Sequence, residues 1–160
     1  MGSSRTTRSI LHLQVAAVCY RWREGQPEFL LVNTTNGEKW TFPKGAPEAN
    51  LSHSQAAARE AEEEAGARGA IEPRHFHIYL HSKGVFWQNG GVQEFAVKAF
   101  LMEVTQTRRP LEADRNPTWF SAEAARATLA KGREVKYARE LRAVIDRAVE
   151  HIPARMAAAR

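Results

Sequence analysis

Ser52-His53-Ser54-Gln55-Ala56-Ala57-Ala58-Arg59-Glu60-Ala61-Glu62-Glu63-Glu64-Ala65-Gly66 is the stretch that decides how this chain is read. Ser52 followed three residues later by Gln55 is a capping-box signature, the alanines favour helix, and Gly66 supplies a stop. The spacing predicts a helix of about three to four turns between Ser52 and Gly66. Within it, Glu60, Glu62, Glu63 and Glu64 crowd negative charge into one short run. At about 100° per residue, Glu60, Glu63 and Glu64 share one face, and Ala58, Ala61 and Ala65 fall on another.

Such crowding is unfavourable for an isolated helix, since like charges at spacings of three and four cost about 0.2–0.5 kcal/mol per pair. Its position adds to the cost. Glu63 and Glu64 lie in the last turn, where the negative end of the helix dipole selects cations by about 0.3–1 kcal/mol each. Something positive is needed there. Arg59 projects about 100° away from Glu60 and cannot neutralise three carboxylates, whereas a hard divalent ion such as Mg²⁺ or Mn²⁺ suits their oxygens. Most Glu-rich helix faces are merely solvated, so the context has to decide.

Upstream, Gly45-Ala46-Pro47-Glu48-Ala49-Asn50-Leu51 leads into the helix. Taken whole, Gly45 to Ala67 resembles the Nudix box: a Gly, five residues, a Glu, seven residues, then Arg-Glu-apolar-any-Glu-Glu-any-Gly-apolar. Arg59, Glu60, Glu63, Glu64 and Gly66 all fall on that pattern. One position departs: Leu51 stands where the family has its first Glu, although Glu48 lies three residues earlier in the same loop. Trp40-Thr41-Phe42-Pro43-Lys44-Gly45 looks like the entry used by dinucleoside polyphosphate and diphosphoinositol polyphosphate hydrolases, and Pro117-Thr118-Trp119-Phe120 resembles their late Trp-Phe element. The likeness covers roughly residues 10 to 150.

The resemblance implies an α+β chain with the Nudix fold, an α/β/α sandwich around a central mixed sheet. It implies a metal-dependent hydrolase that cleaves a pyrophosphate bond in a nucleoside diphosphate derivative. Dinucleoside polyphosphates such as diadenosine tetraphosphate lead the substrate classes, with diphosphoinositol polyphosphates, damaged nucleotides and RNA 5′ ends behind them. Glu60, Glu63 and Glu64 would hold Mg²⁺ or Mn²⁺ with help from the Gly45 carbonyl, and Arg59 would buttress the loop or a carboxylate. Glu60 or Glu63 would serve as general base, with Glu94 as a candidate from outside the box. The alternative is a catalytically weak Nudix-fold module that binds a nucleotide or RNA, motivated by Leu51 and the positive charge.

Lys44, directly before Gly45, is placed to meet a substrate phosphate as a point charge, and Tyr137 to stack on a base. Lys83, Arg108 and Lys136 either extend a phosphate track or are ordinary surface residues, and Glu94 is otherwise a solvated strand end. His75, His77 and His81 would share one face of an extended strand, which invites zinc. Without a Cys partner, exposed strand histidines are the expectation. Trp40 reads as packing, while Trp87 and Trp119 fit either packing or base stacking.

Away from the box, Leu11 to Trp22, Glu28 to Val32 and Trp40 to Phe42 read as strands, with a hairpin turn at Asn36-Gly37. His75 to His81, Val85 to Trp87 and Val92 to Val104 are strand-like around a turn at Asn89-Gly90-Gly91. Pro110 to Pro117 is polar loop. Ala122 to Ala130 forms a short helix, Glu134 to His151 a longer amphipathic one, and Pro153 to Arg160 is expected to fray. At 160 residues, 43% of them hydrophobic, residues 1 to 160 fit one domain with a core from about 10 to 150.

A net charge of +5 attracts polyanions, including nucleic acid or a phosphate-rich small molecule, without choosing among them. No run approaches the roughly 18 apolar residues of a membrane span and no secretory signal is visible, so a soluble cytoplasmic protein without membrane contact is expected. Cys19 is the lone cysteine and reads as core. Met1-Gly2-Ser3-Ser4-Arg5-Thr6 fits the loose N-myristoylation pattern but reads more simply as a flexible end.

Overall fold

The computed structural model describes residues 11–85 and 91–159, with side chains for 11–83 and 93–152. The Met1–Thr6 motif, Trp87 and the Asn89-Gly90 turn lie outside the described residues. Eight strands, β1 (His12–Arg23), β2 (Gln26–Asn33), β3 (Trp40–Thr41), β4 (Lys44–Gly45), β5 (Ala67–Ile71), β6 (His77–Val85), β7 (Gly91–Thr107) and β8 (Thr118–Ser121), join three helices. These are α1 (His53–Ala65), α2 (Ala122–Ala130) and α3 (Val135–Ala159).

The strands form a mixed sheet whose main path runs β3-β2-β1-β7-β5, with β4 on β1, β6 on β7 and β8 on β2. β1 and β7 run parallel, and the other pairs are antiparallel. The continuous apolar run in β1 follows from burial on both faces. Ala16, Val18 and Tyr20 join a core with Leu129, Leu141 and Ile145 of α2 and α3. Val15, Ala17 and Cys19 join another with Ala56, Ala57, Ala61 and Ala65 of α1. Helices therefore cover both sides of the sheet, as the α/β/α expectation required. Among the described residues no helix is long and apolar enough to cross a membrane.

The β1–β2 hairpin turns through Glu24 and Gly25, both at positive φ, a type of turn whose twist matches that of paired strands. Around Asn36 and Gly37, the hydrogen bonds Gly37 N–Thr34 O (2.8 Å) and Thr34 N–Lys39 O (2.8 Å) bring β3 back onto β2. Two elements differ from the sequence expectation. β5, where the sequence reading places no strand, is short and bears a bulge at Arg68/Gly69, so it shows no clean alternation. The last helix continues to Ala159 where fraying is expected, in a run whose alanines have the highest helix propensity.

Candidate active site

The box helix forms as its sequence dictates. Ser52 caps its N-terminus, accepting from Gln55 N–H at 3.1 Å while the Gln55 side chain accepts from Ser52 N–H at 2.9 Å. Gly66 ends it in the left-handed region at φ 65°. The segment after β7 then wraps the helix end. Glu112 N–H donates to Glu63 O (2.9 Å) and Arg108 N–H to Gly66 O (2.8 Å), satisfying carbonyls that a helix end leaves unpaired.

This segment also supplies part of the positive charge that the helix end demands. No basic residue lies in the last turn of α1. Instead Arg115 Nη2 donates to Glu64 Oε1 at 2.9 Å and Nη1 to Glu112 at 3.1 Å. Its own backbone is pinned where Asn33 N–H reaches Arg115 O at 2.7 Å. Asp114 and Asn116 on either side both take positive φ, which turns Arg115 inward. Sequence reasoning missed this residue, since a single arginine in a polar loop carries no periodic signal. Two of the three carboxylates on the face thus meet a protein arginine, Glu64 through Arg115 and Glu63 through Arg59.

Glu60 and Glu64 come together one turn apart. Glu64 is 5% exposed, and burial pushes its carboxyl up to about 8 despite Arg115, with a hydrogen bond to Glu60 raising it further. Glu60 is raised too, first by burial, while the bond to Glu64 works the other way. The two carboxyls hydrogen-bond each other, and Glu64 Oε1 also accepts from Arg115 Nη2. Gly45 underlies the pair: a Cβ there would push the Glu60 carboxylate out of its present position.

Glu63 points elsewhere. Its Oε2 accepts from Arg59 Nε at 3.1 Å, and Arg59 Nη1 reaches Glu48 Oε1 at 3.1 Å, so Arg59 buttresses both loop and carboxylate. Among the described residues no three His, Cys, Asp or Glu side chains are gathered as a metal-ligand group. The residues present nevertheless fit a divalent cation. Two hard carboxylates share a proton over a glycine cradle, and a cation in the proton's place would relieve their repulsion. Glu63 is a neighbour that completes the set only by releasing Arg59.

On the other side of β4, Lys44 is half-buried, and its N–H donates to Glu64 Oε1 at 3.3 Å. Burial lowers its ammonium to about 8, with Arg133, Arg115 and Lys83 pressing the same way and Glu64 opposing them. Arg133 hydrogen-bonds Trp40 O and Leu129 O. The buried Tyr79 hydroxyl, under the field of Arg133 and Glu64, has no hydrogen-bond partner among the described residues. Lys44 and Arg133 form a cationic wall beside the carboxylates, with the neutral Tyr79 and His81 packed behind it. Sequence analysis placed Lys44 there but assigned no role to Arg133 or Tyr79.

The exposed-histidine expectation fails for His81, which is 8% exposed and pushed down to about 3, first by burial and then by Lys44, Arg133, Lys39 and Lys83. The three histidines do not converge. His75 packs its ring on Phe100, and His77 feels Arg147 and Glu140 of α3. Tyr137 is buried and donates to Glu94 Oε2 at 2.5 Å, with Lys136 Nζ at 3.2 Å from the same oxygen. Those two bonds hold the Glu94 carboxyl below the usual range. Arg108 pairs with Glu62 at 3.7 Å. Trp40 stacks edge-on against Phe120, and Arg21 lies 4.3 Å over the Trp119 ring.

A sandwich that lays a capped acidic helix over a glycine cradle, next to a lysine wall, defines a class of phosphoanhydride hydrolase. The NUDIX domain family model matches residues 12–141. The chain belongs to the Nudix family and is a pyrophosphohydrolase acting on nucleotide derivatives, and members of that family generally use divalent metal ions. Solved structures share the fold. The Ap4A hydrolase of C. elegans in a binary complex superposes with TM-score 0.63 at 19% identity, covering 90% of this chain and 99% of that one. The E. coli dihydroneopterin triphosphate pyrophosphohydrolase gives 0.63 at 17%, covering 88% and 99%. The NUDIX domain of Shewanella oneidensis NrtR complexed with ADP ribose gives 0.59 at 18%, covering 89% of each.

Proposed function

We propose that this chain hydrolyses a pyrophosphate bond in a dinucleoside polyphosphate such as diadenosine tetraphosphate, with Mg²⁺ or Mn²⁺ held by Glu60, Glu63, Glu64 and the Gly45 carbonyl. The observation that carries the reading is the pair of carboxyls, Glu60 and Glu64, brought together with Glu60 directly over Gly45 and Lys44 beside them. A divalent cation, when bound, supplies charge neutralisation and lowers the pKa of a water. Glu60 or Glu63 takes the proton from the attacking water. Lys44, with Arg133 behind it, draws the phosphate chain toward the carboxylates.

Burial on that side also strengthens the field that Lys44 exerts, because less water screens it. Tyr137, the residue proposed to stack on a base, stands at the start of α3, largely buried, with its hydroxyl held by Glu94. The Glu94 carboxylate is held low by its two donors and is a weak proton acceptor, so it fixes Tyr137 rather than acting as base. Likeness to the Ap4A hydrolase fold supports the substrate class.

A panel of diadenosine polyphosphates and short 5′-triphosphate RNAs with Mg²⁺ tests this. Turnover of the dinucleotides is expected, reduced about a hundredfold or more by Glu63→Gln, the scale of a lost general base. Binding without product would instead favour a nucleotide-binding module. Hydrolysis of RNA alone, falling steeply with salt, would favour 5′-end processing.

A further inference from the structure

The box departs from its pattern at Leu51, and the structure shows what stands nearby instead. Leu51 packs against the α1-side core, and its N–H closes a turn onto Glu48 O at 3.2 Å. That turn carries the Glu48 carboxylate to Arg59, where Nη1 reaches Oε1 at 3.1 Å. The same guanidinium holds Glu63 through Nε, also at 3.1 Å. Leu51 and Arg59 line one open groove along α1 with Gln55 and Ala58.

We infer that Glu48 is a positioning residue for the cation site, sharing Arg59 between loop and helix so that Glu63 is aimed without being locked away. The inference rests on the hydrolase reading above. A guanidinium offers two parallel N–H donors to a single carboxylate when nothing else competes for them. Without Glu48, the fork of Arg59 is free to close on both oxygens of Glu63, the atoms a cation needs. The tie between the 46–51 loop and the helix disappears at the same time. Residues that orient metal ligands without touching the metal typically change affinity 10- to 100-fold.

The test is Mg²⁺ titration calorimetry on wild type, Glu48→Gln, Glu62→Gln and the double variant Glu48→Gln with Leu51→Glu. Glu62 serves as the charge control, because it lies on the same helix but pairs with Arg68 and Arg108 rather than Arg59. Glu48→Gln is expected to weaken Mg²⁺ binding about tenfold or more. Glu62→Gln is expected to move it less than about threefold, the residue of a screened surface charge. The double variant should recover most of the loss, because a carboxylate at 51 enters the groove that Arg59 lines.

Melting in EDTA should match wild type for the single variants, separating the effect from folding. Equal weakening in Glu48→Gln and Glu62→Gln, or none in either, overturns the inference, as does a failure of rescue in a double variant that melts like wild type. A wild type that takes up no Mg²⁺ overturns the hydrolase reading itself, and this one with it.

Discussion

Glu63 and Glu64 are consecutive residues of one helix, and each is held by an arginine that also reaches a second glutamate. Their surroundings are opposite. Arg59 joins Glu63 to Glu48 at the surface, with 54% of the Arg59 side chain exposed and 30% of that of Glu63. Arg115 joins Glu64 to Glu112 with only 11% and 7% of the Arg115 and Glu64 side chains exposed. Water screens the first pair and leaves both partners free to exchange, so it contributes little to stability. The second is costly to desolvate and costlier to break. The pair of pairs teaches a division of labour: the buried arginine fixes the end of the helix, and the exposed one holds a carboxylate that can turn to a ligand.

Cutting each arginine breaks or sharpens that contrast. Arg115→Met removes the buried donor that Glu64 and Glu112 share, and is expected to lower the unfolding free energy by about 1.5–3 kcal/mol in urea titrations at pH 7. Glu64→Gln in the same chain should change it little further, since the Glu64 carboxyl already carries its proton at that pH. Arg59→Met should leave the urea midpoint in EDTA where it was. Equal losses from the two arginines would erase the distinction.

The position of Glu64 on the helix face was legible from the sequence, and its partner was not. Periodicity and caps locate α1 because they act between residues three and four apart. Arg115 meets Glu64 across 51 positions of sequence, through a loop whose inward turn depends on two positive-φ residues. For the same reason the cationic wall and the histidine behind it stayed hidden apart from Lys44: Arg133 and His81 come from separate elements, and only the pairing of β6 and β7 and the docking of α3 bring them to one place. Long strands and amphipathic helices showed in the sequence, while the two-residue β4 did not. That strand matters most to the site, because its pairing with Ala16 and Val15 sets Lys44 and Gly45 on opposite faces.

The buried side of the site should also respond to acid. His81 is neutral in the fold, its pKa pushed down to about 3 from 6.5. The unfolded chain takes up a proton near pH 6.5 that the folded chain refuses. Stability from this group is therefore unaffected above pH 6.5 and falls as pH drops from there toward about 3. Between pH 6.5 and 5 the loss is about 2 kcal/mol, the linkage cost of 1.5 pH units. Urea midpoints at the two pH values should differ less in His81→Asn than in wild type. An unchanged difference would place His81 in a wetter setting than the fold shows.

The central claim is that the acidic end of α1 persists because it exchanges a shared proton for a divalent cation. With Glu64 at about 8, that proton is present at pH 7. Mg²⁺ titrated calorimetrically at pH 7, in two buffers of different ionisation enthalpy, reads uptake and proton release together. The account requires saturable uptake with release of roughly one proton, the release vanishing in Glu64→Gln. No uptake, or uptake whose heat ignores the buffer, would contradict it.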